Sequence, residues 1–256
     1  MKRPRRTDLS WLVGRPIAHR GLHDSSCGRV ENSIGAARAA VARGYAIECD
    51  LRLSRDGRVF VFHDDSLERL TGAQGSFAAR DAVELEQIAF REGGETIPTL
   101  ERWLAAVNGA VPLILELKSD FSGDVALALA AASALDACSG PVALKSFDPA
   151  LIAVLRGRDS AWPLGIVAQS DYDEEEFGGL TPSLRQSLTR FTHAPETRPD
   201  FLSWRSADLP VAITSFARAC AGTPVMTWTI RSPEQAESAR RHADQIIFEG
   251  FLPDGV

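Results

Sequence analysis

The chain has 256 residues, of which 45% are hydrophobic and 24% are charged, a balance typical of a globular protein with a substantial core. Its formal net charge of −6 argues against a nucleic-acid-binding protein, because such surfaces need clustered Lys and Arg. The four cysteines lie far apart and form no C-x-x-C pair, which excludes the usual zinc-ribbon and redox signatures.

The beginning of the chain does not have the pattern of an export signal or a membrane anchor. Residues 2–6 form a basic run that we interpret as a solvated tail, and residues 7–15 contain too few apolar side chains for the core of a secretory signal. No apolar run approaches the roughly 20 residues that a membrane-spanning helix needs. We therefore expect a cytoplasmic protein without stable membrane insertion and without a nucleic-acid partner, and the sequence leaves the oligomeric state open.

Apolar strand-like runs alternate with amphipathic or Ala-rich helical runs along almost the whole chain, which predicts a parallel sheet with crossover helices. The predicted strands centre on Ile17, Ile47, Ile114, Val142, Ile166, Leu202, Met226 and Ile246. The predicted helices lie near residues 33–42, 100–107, 125–135, 149–155, 174–189 and 233–241. Eight βα repeats in a chain of this length predict a single α/β domain over residues 1–256, a (β/α)₈ TIM barrel preceded by an N-terminal tail at residues 1–14.

Two helix starts carry chemical signatures that support this count. Thr99 can cap the helix that follows it, and Pro233 suits the first position of a helix. Residues 54–57, Ser-Arg-Asp-Gly, predict a hairpin turn, and we interpret residues 52–96 as a hairpin-containing insertion after the second strand. Residues 206–221 are irregular and receive no assignment.

Histidine and arginine side chains stand where strand-like runs end. His19 and Arg20 follow the first run, and His63 follows the apolar residues 59–62. A single histidine in such a place more often bonds the backbone, but two of them with adjacent carboxylates suit a general acid and a general base. For Arg20 two interpretations have equal weight: a phosphate ligand or a salt-bridge partner of Glu31.

Carboxylates appear at the ends of two predicted strands. Side chains alternate between the faces of a strand, so Glu48 and Asp50 point the same way, as do Glu116 and Lys118. An unpaired buried carboxylate is costly, and a bound cation removes that cost. Glu48, Asp50 and Glu116 would then form an oxygen-only site of the kind that Mg²⁺ or Ca²⁺ prefers. The alternative is that Glu116 and Lys118 form only ion pairs at a barrel rim.

Short motifs follow one another along the chain: His19-Arg20-Gly21, Glu31-Asn32-Ser33, Glu48-Cys49-Asp50, Ser54-Arg55-Asp56-Gly57, His63-Asp64-Asp65, Leu115-Glu116-Leu117-Lys118, Ser146-Phe147 and Trp228-Thr229. Their order and spacing resemble those of the glycerophosphodiester phosphodiesterase family, phosphodiesterases with a TIM barrel like that of phosphatidylinositol phospholipase C. The resemblance extends over residues 16–253. Ordered blocks with compatible spacing arise by chance far less often than one short motif.

The resemblance implies a metal-dependent enzyme that hydrolyses small-molecule glycerophosphodiesters to glycerol 3-phosphate and an alcohol. The cofactor it implies is one divalent cation, Mg²⁺ or Ca²⁺, held by Glu48, Asp50 and Glu116. It also implies that His19 and His63 are the acid–base pair, that Arg20 and Lys118 neutralise the phosphate, and that Trp228, with Phe147 nearby, walls the pocket. All of these residues are expected at the carboxyl ends of barrel strands.

Two chemical routes and three functions remain open from the sequence. A substrate hydroxyl could attack the phosphorus to give a cyclic phosphate that water opens, or metal-bound water could attack directly, and either histidine could be the acid. Near its end the chain has Phe248-Glu249 where family members commonly have a Thr-Asp pair, which affects the expected alcohol specificity. The alternative functions are a phospholipase D-like lyase that forms cyclic phosphate from lysolipids and a non-catalytic barrel that binds a phosphorylated ligand.

Overall fold

The structure is a computed structural model that describes residues 8–136, 138–173 and 177–253. Eight parallel strands close into a barrel, because β1 pairs with both β2 and β9, and a ninth strand, β3, is added at its edge. All eight predicted strands are present, and the TIM barrel is confirmed. The strands are β1 (Ile17–Ala18), β2 (Ala46–Leu53), β3 (Val59–Val61), β4 (Leu113–Leu117), β5 (Val142–Ser146), β6 (Leu164–Ala168), β7 (Phe201–Arg205), β8 (Val225–Ile230) and β9 (Gln245–Phe248).

Helices follow most of the strands and cover the outside of the barrel. Those in the described residues are α1 (Ser10–Val13), α2 (Ile34–Ala42), α3 (Ala82–Leu85), α4 (Leu100–Val107), α5 (Ala126–Leu135), α6 (Pro149–Gly157), α7 (Pro182–Arg190), α8 (Ala194–Thr197), α9 (Ala212–Phe216) and α10 (Pro233–Ala239). Thr99 and Ser232 cap α4 and α10, and Pro233 is the first residue of α10, as predicted. Among the described residues, none of the helices combines the length and the apolar character that crossing a membrane requires.

One predicted helix start is wrong, and four short helices, α1, α3, α8 and α9, were not predicted. The helix expected over residues 174–189 begins at Pro182, where Thr181 accepts a hydrogen bond from the backbone of Leu184. Residues 174–176 lie outside the described residues. The unassigned residues 206–221 contain a 3₁₀ turn, α9 and a π-helical turn, and α8 precedes β7.

The inward-facing side chains of the strands form two layers that differ in chemistry. At the amino end of the barrel they are apolar and pack around Leu12 of α1. Gly165 leaves room there for the ring of Phe201, since a Cβ at Gly165 would lie 2.3 Å from that ring. The N-terminal tail, predicted to extend to residue 14, therefore ends earlier, because Leu12 is already buried in the barrel core. Residues 1–7 lie outside the described residues. At the carboxyl end the inward positions are charged.

The segment between β2 and α4 begins with the predicted hairpin. The eight residues of β2 extend far enough for β3 to pair with them antiparallel, with Leu51 opposite Val61. The segment has its own apolar cluster, which includes Phe60 and Phe77. His63 thus follows a strand that runs against the barrel strands, and its expected place at the carboxyl end of a barrel strand is wrong. The hairpin turns the chain back, so that the end of β3 lies beside Asp50.

Candidate active site

Three buried carboxylates meet at the carboxyl end of the barrel. Glu48 and Asp50 point inward from β2, and Glu116 points inward from the adjacent β4, where it is the register partner of Asp50. One oxygen from each lies within 4.8 Å of the others, and the three residues are only 1%, 2% and 6% exposed. The structure therefore brings together the three residues that the sequence proposed as metal ligands.

A buried lysine that the sequence analysis missed lies between two of these carboxylates. Lys145 points inward from β5, and its Nζ is 3.0 Å from both Glu48 Oε1 and Glu116 Oε2. Burial lowers the pKa of Lys145, but the two carboxylates outweigh burial and raise it above its ordinary value. The sequence carries only a partial signal, because Lys145 follows an apolar run as Glu116 does, and a lysine in that place is equally compatible with a solvated rim.

Lys118 and Arg20 complete the charge balance around the carboxylates. Lys118 Nζ lies 3.0 Å from Glu116 Oε1 and 3.7 Å from Asp50 Oδ1, and Arg20 Nε lies 3.2 Å from Asp50 Oδ2. Burial raises the pKa of Asp50, but the basic groups around it, which are His63 when protonated, Arg20 and Lys118, hold it well below its usual range. Asp50 is therefore ionised at neutral pH, and Lys118, whose pKa is raised by Glu116 and Asp50 despite burial, is protonated.

The motif Glu31-Asn32-Ser33 supports this centre from the loop before α2. The Asn32 side chain donates to Asp50 Oδ2 at 3.0 Å and accepts from the Asp50 backbone N–H at 3.2 Å. Glu31 accepts from Arg20 at 2.6 Å, so the salt bridge considered for Arg20 is present. Ser33 caps α2, which fixes where the helix begins. The motif thus orients one carboxylate and one guanidinium of the site.

His19 is held by a carboxylate from the last strand of the barrel. Its Nδ1 lies 2.5 Å from Glu249 Oε2, and Arg231 donates to the other Glu249 oxygen at 2.8 Å. Burial raises the pKa of Glu249, but the hydrogen bond from His19, the nearby imidazole of His23 and the charge of Arg231 hold it well below its usual range. Since the ionised carboxylate can only accept, His19 carries its hydrogen on Nδ1 and turns Nε2 toward Glu48 Oε2, 4.0 Å away.

His63 has the same arrangement on the other side of the centre. Its Nδ1 lies 2.7 Å from Asp64 Oδ1, and Asp64 in turn accepts hydrogen bonds from Arg69. Its Nε2 lies 3.2 Å from Lys118 Nζ. The Lys118 ammonium can only donate, so His63 Nε2 accepts and the ring hydrogen is on Nδ1. Each histidine is thus fixed by a carboxylate at Nδ1 and presents Nε2 to the site.

These side chains line one cavity of about 470 Å³ that opens at the carboxyl end of the barrel. Phe147 and Trp228 form its apolar wall, with ring centroids 5.6 Å apart and planes nearly perpendicular. Trp228 is oriented by a hydrogen bond from its Nε1 to the Ser203 carbonyl at 3.1 Å. The site residues named from the sequence therefore share this cavity, except Glu48, which lies beneath its floor beside His19 and Lys145. Gln169 and Arg231, which the sequence did not single out for this site, also line it.

The chemistry of the carboxylates fits a hard divalent cation. Three carboxylate oxygens are the donors that Mg²⁺ or Ca²⁺ prefers. Glu48 Oε1 is buried and accepts no hydrogen bond of good geometry in the described part of the chain, although Lys145 Nζ is near it. A buried acceptor left in this state is stabilised by a cation.

Comparison with known proteins gives a consistent result. Residues 19–251 match the family described as "Glycerophosphoryl diester phosphodiesterase family". A glycerophosphodiester phosphodiesterase of Caldanaerobacter subterraneus is 38% identical over 111 residues, and YhdW of Bacillus subtilis is 36% identical over 111 residues. Each of these alignments spans 40% of this chain and 44% of the relative, so the chain matches less than half the length of these curated relatives.

Solved structures show the same fold over nearly the whole chain. A phosphodiesterase of Oleispira antarctica, in complex with the product sn-glycerol-3-phosphate, has a TM-score of 0.75 at 22% identity and covers 93% of this chain and 94% of its own. A glycerophosphodiester phosphodiesterase of Thermotoga maritima has a TM-score of 0.68 at 24% identity and covers 91% and 92%. With the family match over residues 19–251, the barrel and its motifs establish that this chain belongs to the glycerophosphoryl diester phosphodiesterase family.

Proposed function

We propose that this protein hydrolyses glycerophosphodiesters to glycerol 3-phosphate and an alcohol, and that it depends on a divalent cation. The observation that carries the proposal is the pairing of two carboxylate-held histidines, His19 and His63, with three buried carboxylates at the end of one barrel. Family membership supports the same activity.

Glu48, Asp50 and Glu116 would hold the cation, as Mg²⁺ or Ca²⁺. When bound, it supplies positive charge to the phosphoryl oxygens and lowers the pKa of a bound water or hydroxyl. Lys118 and Arg20 line the same cavity and neutralise the charge that gathers on the phosphate. Trp228 and Phe147 pack against the apolar part of the substrate.

The two histidines move the protons. One Nε2 takes a proton from the nucleophile, either a neighbouring hydroxyl of the substrate or water, and the other gives a proton to the departing alcohol oxygen. Glu249 and Asp64 keep Nδ1 of each ring as the donor, so Nε2 is the nitrogen that exchanges a proton with the reacting atoms, and on His63 it gives up its hydrogen bond from Lys118 to do so.

The experiment is a product assay with the purified protein and several glycerophosphodiesters, in Mg²⁺, in Ca²⁺ and in excess chelator. We expect glycerol 3-phosphate and free alcohol in equal amounts with metal, and a large loss of rate in chelator. An assay that stops at cyclic phosphate would indicate the lyase, and a transient cyclic phosphate would identify the substrate hydroxyl as the nucleophile.

Variants test the residue roles. We expect His19→Ala and Glu48→Gln to lose at least about 100-fold in kcat, the usual size of an acid–base or metal contribution. His242→Ala, which removes a histidine outside the cavity, is the matched control and should keep full activity. Turnover of no diester with either metal would refute the proposed function, and full activity of a folded His19→Ala variant would refute the role of that residue.

A further inference from the structure

Arg69 joins two carboxylates, each of which holds a functional group of the candidate active site. Its Nη1 and Nη2 donate to the two Glu31 oxygens at 2.9 and 2.8 Å. Its Nε and Nη2 donate to the two Asp64 oxygens at 2.6 and 2.8 Å. Both pairs are bidentate, the geometry in which a planar guanidinium fixes the orientation of a carboxylate. Each of the two carboxylates is therefore oriented by the same side chain.

The two carboxylates lead to groups with different tasks. Glu31 Oε1 also accepts from Arg20 at 2.6 Å, and Asp64 Oδ1 lies 2.7 Å from His63 Nδ1. The contacts thus run without a gap from the guanidinium assigned to the phosphate to a ring assigned to proton transfer. Cations and carboxylates alternate along this path, so each charge has a neighbour of the opposite sign.

Both bridging carboxylates are ionised, as these contacts require. Burial raises the pKa of Glu31, but the hydrogen bonds from Arg69 and the charge of Arg20 lower it below its ordinary value. Burial also raises the pKa of Asp64, but the hydrogen bonds from His63 and Arg69 hold it well below its usual range. An ionised carboxylate can only accept, so each takes hydrogens from both of its partners.

The backbone that carries Arg69 is anchored on both sides. Leu67 and Thr71 are fully buried, and Leu67 belongs to the apolar cluster of the segment between β2 and α4. Thr71 donates to the Leu67 carbonyl with its N–H at 3.1 Å and with its hydroxyl at 2.7 Å. The Arg69 side chain itself is 48% exposed. A fixed turn therefore presents a half-exposed guanidinium to the two carboxylates.

We propose that Arg69 is a positioning residue that couples the phosphate-binding Arg20 to the proton-transferring His63. The proposal rests on the proposed function, because both of those roles belong to phosphodiester hydrolysis. Arg69 does not line the substrate cavity and acts through Glu31 and Asp64. Without it, each carboxylate keeps one partner and gains freedom to rotate. A misplacement of about 1 Å at the reacting groups costs roughly 100-fold in rate.

The test is chemical rescue of an Arg69→Ala variant. We expect this variant to lose about 10- to 100-fold in kcat, the usual cost of removing a group that orients a functional side chain. Guanidinium chloride at a concentration that does not denature the protein should raise its kcat about 3- to 10-fold. The free ion offers the same donors to both carboxylates, but it must be bound from solution. Sodium chloride at the same concentration should have no such effect.

Arg91→Ala is the matched control. Arg91 lies in the same segment and donates to the Glu68 carbonyl at 2.8 and 3.2 Å, outside the cavity. Its removal should leave kcat unchanged, and guanidinium should not raise the rate of this variant.

A second measurement tests the path through Glu31. Arg69 and Glu31 belong to one network, so the kcat/KM loss of Arg69→Ala combined with Glu31→Gln should be smaller than the product of the two single losses. Losses that multiply would overturn the coupling to Arg20.

Full kcat in Arg69→Ala, or a loss that guanidinium does not reduce, would overturn the proposal while leaving the phosphodiesterase activity of the parent intact. The exposed ion pairs contribute little to stability, so the Tm of this variant should stay within about 5 °C of the parent. A much lower Tm without rescue would assign Arg69 a structural role instead.

Absence of turnover of every diester by the parent would refute the proposed function. In that case the proton on His63 Nδ1, observed by NMR, still tests the positioning role, and it should exchange with solvent faster in Arg69→Ala than in the parent. Equal exchange rates would refute that role.

Discussion

Replacing Lys145 by Met should destabilise the protein strongly in chelator and much less in saturating metal. Lys145 is 2% exposed, and its ammonium offsets both Glu48 and Glu116 at 3.0 Å. Methionine fills a similar volume but leaves two buried carboxylates facing each other. Breaking a buried ion pair in this way costs about 3–5 kcal/mol. For a domain of this size each kcal/mol lowers Tm by roughly 2–4 °C, so we expect a Tm lower by about 10 °C in chelator.

A divalent cation should then recover part of the loss, because it takes over the neutralisation of Glu48 and Glu116. At one saturating metal concentration, a variant that binds the cation about 100-fold more tightly than the parent regains about 2.7 kcal/mol relative to it, and we expect such tighter binding for Lys145→Met. The difference in Tm between the two proteins is therefore expected to shrink by at least half when Mg²⁺ or Ca²⁺ is saturating.

The assay is thermal unfolding of both proteins in chelator and in a titration of each metal. Arg218→Met is the matched control, because it removes a cation paired with Asp244 at 2.9 Å, away from the cavity. Its Tm difference from the parent should not depend on metal. If Lys145→Met is as stable as the parent in chelator, the carboxylates are not balanced by Lys145. If metal reduces the Tm difference from the parent as much for Arg218→Met as for Lys145→Met, the cation does not bind at these carboxylates.

Three further outcomes are expected. Glu249→Gln should lower kcat/KM about 10- to 100-fold, because the amide no longer fixes the tautomer of His19. Glu249→Asp should recover part of the rate, and equal rates for the two variants would contradict the role of Glu249 in orienting His19. Burial lowers the pKa of His193 to about 4, so its contribution to stability is present above pH 6.5 and is lost as the pH falls toward 4. Between pH 7.5 and pH 4.5, the free energy of unfolding in urea should therefore fall by about 2 kcal/mol more for the parent than for His193→Gln. An equal fall for the two proteins would refute the lowered pKa of His193. Gly165→Ala should destabilise by about 1–3 kcal/mol, measured by urea unfolding, because its Cβ would meet the ring of Phe201 at 2.3 Å, and unchanged stability would show that the ring can move.

The strands and the carboxylate centre were predictable because both rest on local patterns. Buried parallel strands appear in the sequence as short apolar runs, and the alternation of side chains placed Glu48, Asp50 and Glu116 on inward faces before any contact was known. Barrel closure then follows from the number of repeats. These parts of the site required only strand parity and the rule that barrel sites form at carboxyl ends.

The contacts that complete the site were not predictable because they join distant parts of the chain. Glu249 lies 230 residues from His19 in sequence, and no local pattern links them. A lysine after an apolar run is equally compatible with a solvated rim, and only the register of β5 against β4 shows that Lys145 points inward. The motif singled out His63, but its approach to the carboxylates along an antiparallel strand depends on the length of β2.

Charge balance explains why the cation and an anionic substrate should favour each other's binding at this site. The carboxylates Glu48, Asp50 and Glu116 face Arg20, Lys118 and Lys145, and Glu31 shares Arg20, so the centre is already close to neutral before either ligand is present. A divalent cation alone would leave an excess of positive charge in a buried region of low dielectric constant, and a phosphodiester anion reduces that excess. Because such a coupling is reciprocal, each ligand raises the affinity for the other. The histidine-bound carboxylates Glu249 and Asp64 are balanced separately by Arg231 and Arg69, so both imidazole rings stay oriented whichever ligand binds first.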